Sequence, residues 1–105
     1  MDLPESDWKT LRKLQPVALD RFCWRVLDEC RAVCDNDSKT SHERYLDLYR
    51  LLRTRDKELA DAFDDMRRSV ALLRLVTMYR RDLLTEEEVA RFSPETRKLV
   101  TQFPG

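Results

Sequence analysis

The stretch VALDRFCWRVLDECRAVC, residues 17–34, decides the fold class. Its apolar residues are Leu19, Phe22, Cys23, Val26, Leu27, Cys30, Val33 and Cys34. They recur at steps of three and four, which puts them on one side of a helix; a strand would alternate with period two. The stretch opens just after Pro16, and neither glycine nor proline occurs again before Pro94. The single glycine is the last residue, Gly105. Hairpin turns draw on Gly or Asn at positive φ, and the one asparagine, Asn36, has no alternating pattern around it. An all-α chain is expected.

Working outward, Pro4 suits a first helical position, and Trp8, Leu11 and Leu14 share one side of a helix over 5–14. Pro16 is expected to end that helix and open the next. The polar run 35–41 reads as a loop, with Thr40 or Ser41 capping a helix that ends near Arg53. Thr54, Arg55 and Asp56 read as a tight turn before the longest helix, 57–81, because the stripe changes phase there, with a merger of the two helices as the alternative. Thr85 with Glu88 makes a capping box for a short helix ending near Phe92. Ser93 before Pro94 opens a last helix through Phe103. The expected architecture is a single compact helical bundle of five to six helices, one domain over 1–105.

Composition narrows the function. Lys plus Arg and Asp plus Glu are 20 each, so the net charge is zero although 38% of residues are charged. Self-repulsive disorder, a strongly basic nucleic-acid binder and a polybasic membrane-surface protein all lose support. The acidic opening Met1-Asp2-Leu3-Pro4-Glu5 has no apolar h-region, and the greasiest run, 70–78, is cut by Arg74. No membrane association and a cytoplasmic location are expected. Three cysteines are an odd number, read as free thiols in a reducing compartment.

The chemical constellations are weak. Cys30 and Cys34 stand four apart with Cys23 two turns earlier, but all three lie on the apolar stripe and no C-x-x-C knuckle occurs. They are expected to be buried and unmetallated, as small hydrophobes. Residues 35–46 lack the glycine and terminal glutamate of a calcium loop. The acids Glu58, Asp61, Asp64 and Asp65, followed by Arg67, Arg68, Arg74, Arg80 and Arg81, match a helix dipole better than a catalytic pair. His42 is the only histidine and has no nucleophile in a local signature. No enzyme, no cofactor and no metal are expected.

Two features point to binding. Leu72, Leu75, Val76 and Tyr79 form a second stripe on helix 57–81, opposite Leu59, Phe63, Met66, Val70 and Leu73. A helix apolar on both sides is either central to the bundle or part of an interface. Helices folding back through Val89, Phe92, Leu99 and Phe103 would close the bundle; otherwise a homodimer across this stripe would cover it. Trp24 lies off the main stripe, and Trp8 or Leu11 is expected to pack over it unless it anchors a partner. The favoured reading is a non-enzymatic interaction module that self-associates or docks on a protein partner. The alternative is a small DNA-binding regulator using the last two helices, with Glu95, Arg97, Lys98 and Gln102 presented by the second. Arginine outnumbers lysine 15 to 5, which suits phosphate contacts. Three consecutive glutamates, 86–88, and the absent basic patch count against it.

Overall fold

Pro16 does not divide the first helix. The computed structural model describes residues 2–102, and in it α1 runs unbroken over Glu5–Cys34 with Pro16 inside. Proline has no N–H for the carbonyl of Arg12, and its ring crowds that carbonyl, a cost of about 3 kcal/mol. Arg12 and Pro16 are both exposed, so water can reach the freed group. Across the proline, Leu11, Leu14, Ala18, Phe22 and Val26 are all buried at steps of three and four. Burying that continuous stripe, at roughly 1.5–3 kcal/mol for each large side chain, outweighs the one lost bond. One helix also means that Trp8 and Trp24 stand about 24 Å apart along its axis. The expected cover of Trp24 by Trp8 or Leu11 is therefore ruled out.

The remaining elements are α2 (Ser41–Phe63), a 3-10 turn (Arg68–Val70), α3 (Ala71–Arg80), α4 (Glu86–Val89) and α5 (Pro94–Gln102), with no strand among the described residues. Helix α2 starts at a capping box: Thr40 Oγ1 accepts from the Glu43 N–H, and the Glu43 carboxylate accepts from the Thr40 N–H. It passes straight through Thr54, Arg55 and Asp56, where a turn was expected. Arg55 accounts for this, because it bridges Glu29 on α1 at 2.9 Å and Glu58 one turn ahead at 3.0 Å. The break falls instead at 64–67, where Asp65 takes a left-handed φ of 54°. The expected helix 57–81 is thus the end of α2, a 3-10 turn and α3.

Arginine takes over the task of the missing glycines. Many helices end on a left-handed glycine that satisfies the last carbonyls, and here Asp65 and Asp82, at φ 54° and 59°, occupy the left-handed positions. The open carbonyls accept from guanidinium groups on other segments. Arg44 donates to the Cys34 carbonyl at the end of α1. Arg74 donates to the Asp61 and Asp64 carbonyls at the end of α2. Arg25 donates to the Arg81 and Asp82 carbonyls after α3. The arginine surplus is therefore used largely inside the fold, where a planar fork reaches two acceptors and an ammonium would not.

The core lies at one end. There α3, α4 and α5 pack over the first half of α1 and the end of α2, burying Leu3, Leu11, Phe22, Phe63, Met78 and Leu83. Leu75 and Val76 are buried in this core with Val89, Phe92 and Val100, and Leu72 and Tyr79 are half-buried against it. Leu99 is exposed, and Phe103 lies outside the described residues. Buried Asp7 fastens α5: its carboxylate accepts from the Ser93 N–H at 2.9 Å, Ser93 Oγ at 2.7 Å and Thr96 Oγ1 at 2.6 Å. Burial alone would raise its pKa, but these bonds to the charged form lower it.

Between Leu27 and Asp61 no residue is buried. The second half of α1 and the first half of α2 form a two-helix hairpin that projects from the core. The molecule measures 52 × 25 × 24 Å, with a radius of gyration of 16.5 Å, against about 13 Å for a compact domain of this length. The bundle is all-α but elongated. No helix among the described residues is long and apolar enough to cross a membrane.

Candidate functional site

The hairpin has two faces of opposite character. On the core side, Arg25, Glu29, Arg55, Glu58, Arg80 and Arg81 line a polar cleft. Arg55 is held between Glu29 and Glu58, and Arg81 approaches Glu58 at 3.6 Å. The hydrogen bonds from Arg55 hold the Glu29 carboxyl below its ordinary pKa. On this face both glutamates are paired with arginines, and the buried Arg81 Nε is left without an acceptor among the described residues.

The reverse face is apolar and open. Cys23 and Leu27 stand two residues, or about 200° of helical turn, from Arg25, which reaches toward α3, so they look to the other side of the hairpin, where Cys23 packs on the edge of the core and Leu27 is exposed. Along α1, positions 23, 27, 30 and 34 follow the four-three-four spacing of a helix-packing seam: Cys23, Leu27, Cys30 and Cys34. Along α2, Tyr45, Leu48, Leu52, Arg55 and Leu59 follow the matching three-four-three-four spacing. The two seams meet in a groove of about 240 Å³ lined by Phe22, Cys23, Val26, Leu27, Leu52, Arg55, Asp56 and Leu59, with no residue from α3, α4 or α5. A second hollow nearer the tip joins Cys34 to Tyr45 and Leu48. Leu27 thus lies level with Leu52, and Cys34 with Tyr45.

Exposure here is high for apolar side chains: Trp24 61%, Leu27 53%, Tyr45 66%, Tyr49 58% and Leu52 45%. Together they leave roughly 400–600 Å² of apolar surface open, the upper end of what monomeric proteins show. The groove is smaller than a typical ligand pocket of roughly 300–1,000 Å³ and has no convergent polar groups at its centre. A shallow two-seam face of this kind accepts helices better than a small molecule.

Of the residues singled out in the sequence, Trp24 is exposed at the edge of this face, one residue past Cys23, and does not line the groove. Leu75 and Val76 are in the core, and Leu72 and Tyr79 lie against it; within one chain this stripe closes the bundle. The cysteines correct the expectation of burial. Cys23 and Cys30 are half-buried and Cys34 is exposed, because their edge of α1 looks into the open groove. Among the described residues no three His, Cys, Asp or Glu groups converge as metal ligands. Leu27 belongs to the apolar stripe of α1, and Tyr45, Tyr49 and Leu52 recur at steps of four and three on α2; such spacing shows a face, but not that nothing covers it.

No protein-family model matches the chain, and no curated protein or solved structure shows significant similarity to it.

Proposed function

We infer that the chain is a protein-interaction module whose working surface is the open face of the α1–α2 hairpin. The observation that carries this reading is the contrast between the two faces. The polar face closes its own ion pairs, whereas the reverse face and its edges leave two tyrosines, a tryptophan and two leucines more than two-fifths exposed. Aromatic anchors in an apolar centre are the composition of a binding hot spot. The α4–α5 pair offers no comparable feature for DNA: exposed Glu86, Glu87 and Glu95 are interspersed with Arg91 and Lys98, a mixed field that attracts phosphate weakly.

Site-specific photo-crosslinking in the source cell tests the reading. A photoreactive residue in place of Tyr49 is expected to give discrete protein adducts, and one in place of exposed Lys98 is expected to give none. Equal labelling from both positions, or none from either, would reject the open face as the working surface.

A further inference from the structure

We propose that the bend between α2 and α3 is a hinge at which two copies of the chain exchange their α3–α5 units. In the exchanged form α2, residues 64–70 and α3 straighten into one helix, and α3–α5 of each copy packs on α1 and α2 of the other. The exchange uses the core contacts and leaves the open face of the hairpin free, so it stands apart from the interaction reading above.

The residues of the bend are those of a helix interior. Every other helix after the first starts on a side-chain cap: Thr40 and Thr85 form capping boxes, and Ser93 Oγ accepts from the Thr96 N–H. The restart after the bend has none among the described residues, neither at Arg67 before the 3-10 turn nor at Val70 before α3. No glycine or proline stands between Phe63 and Ala71, and Asp65 takes the left-handed φ of 54°, at a cost that a helical conformation does not carry. Leu59, Phe63, Met66, Val70 and Leu73 keep steps of four, three, four and three through the bend, the spacing of one continuous stripe. The bend splits that stripe and leaves Leu73 exposed. Local sequence and tertiary structure disagree at this junction.

The bonds at the bend show what straightening exchanges. The Asp64 N–H donates to the Ala60 carbonyl, so the helical ladder of α2 already runs into the bend. Arg74 caps the Asp61 and Asp64 carbonyls; in one helix the N–H groups of Asp65 and Arg68, four residues on, take those acceptors. Arg68 holds the bend to α1, donating to the Leu3 carbonyl and pairing with Glu5 at 2.7 Å. In a lone chain, straightening would strip α3–α5 from the core and expose Leu75, Val76, Met78 and Val89, so the lone chain stays bent. A second copy restores those contacts. The surface each chain uncovers is the one that α3–α5 of an identical chain fits, which identifies the partner.

Light scattering coupled to size-exclusion chromatography, on full chains refolded from urea at low and high concentration, tests this. The wild-type chain should yield dimer in proportion to the refolding concentration. Asp65→Ala should raise the dimer association constant about tenfold, because both copies shed a left-handed residue, and Asp65→Gly should lower it about tenfold. Co-refolding of Arg21→Glu with Glu88→Arg separates exchange from surface association. Arg21 on α1 pairs with Glu88 on α4 within one chain, so each variant alone sets like charges together. In an exchanged heterodimer one core regains the native pair and the other holds the reversed pair, and the mixture should melt above either variant. Asp65→Ala that is monomeric at every concentration, or a dimer indifferent to both Asp65 substitutions, overturns the hinge. A mixture that melts as its separate components overturns the exchange. Crosslinking from Tyr49 reads the open face and is decided independently of these results.

Discussion

Glu88→Gln should remove the largest pH-dependent contribution to stability that the structure shows. Glu88 lies at the junction of α1 and α4 with its side chain 9% exposed. Its two oxygens accept a forked pair from Arg21, one of them at 2.9 Å, and Oε1 also accepts from the Thr85 N–H at 2.9 Å to complete a capping box. The hydrogen bonds from Arg21, opposed by burial and aided by the Thr85 N–H, bring its pKa from 4.5 down to about 2. A depressed carboxylate contributes stability above its unfolded pKa and loses it as pH falls through the folded value. The wild-type contribution is therefore complete above about pH 5, declines below 4.5 and is gone near 2. A shift of this size corresponds to about 3 kcal/mol. Glutamine keeps one oxygen for the Thr85 N–H but turns an amide N–H₂ toward the guanidinium, donor against donor. Arg21 retains the Leu83 carbonyl at 2.9 Å and is a third exposed, so water recovers part of the loss. Urea unfolding should show Glu88→Gln less stable by about 2 kcal/mol at neutral pH, with the gap narrowing toward zero near pH 2. A gap that stays constant between those limits would show that packing, not charge, holds Glu88 in place.

Two further substitutions test the packing and the backbone. Leu75, fully buried on α3, should cost about 2–5 kcal/mol as Leu75→Ala in the same unfolding assay; a cost below 1 kcal/mol would mean that the stripe does not close the bundle. Asp82 sits at φ 59° and contributes only its backbone carbonyl to Arg25. Asp82→Gly should raise stability by about 0.5 kcal/mol, the relief of left-handed strain less the added freedom of the unfolded chain, and a loss of stability would show that the aspartate side chain matters there.

Periodicity carried the class of the fold, and it failed where tertiary contacts overrule local rules. The capping boxes at Thr40 and Thr85 and the helix opening at Pro94 were legible because caps are local: their donors and acceptors lie within three residues. Pro16 misled because the penalty of an internal proline is local, while the buried stripe that outweighs it extends well to either side, from Leu11 to Val26. The junction at 54–56 misled for the opposite reason, since Arg55 works through Glu29, a partner 26 residues away. The break at 64–67 carries no glycine or proline to announce it. It is held by Arg74 and by Arg68, which donates to the Leu3 carbonyl from across the fold. Trp24 was recognisable as lying off the stripe, but its exposure depended on whether Pro16 turned the chain back over it.

The arginine economy and the open face have a common origin. A chain without internal glycine makes long helices, and about 45 Å of α1 exceeds what a core built from three short helices can cover. The excess length has to form a second, thinner layer, and two helices can hide only the surfaces they turn to one another. Of the two faces left over, the one nearest α3 is closed by Arg55 and Arg81 with their glutamates. The other keeps its tyrosines and its leucines exposed, with the tryptophan at its edge. An isolated hairpin with no buried residue along its outer part should open locally more readily than the core. Packing against a second layer would then stabilise the projection itself, so that association and the folding of the hairpin become one equilibrium.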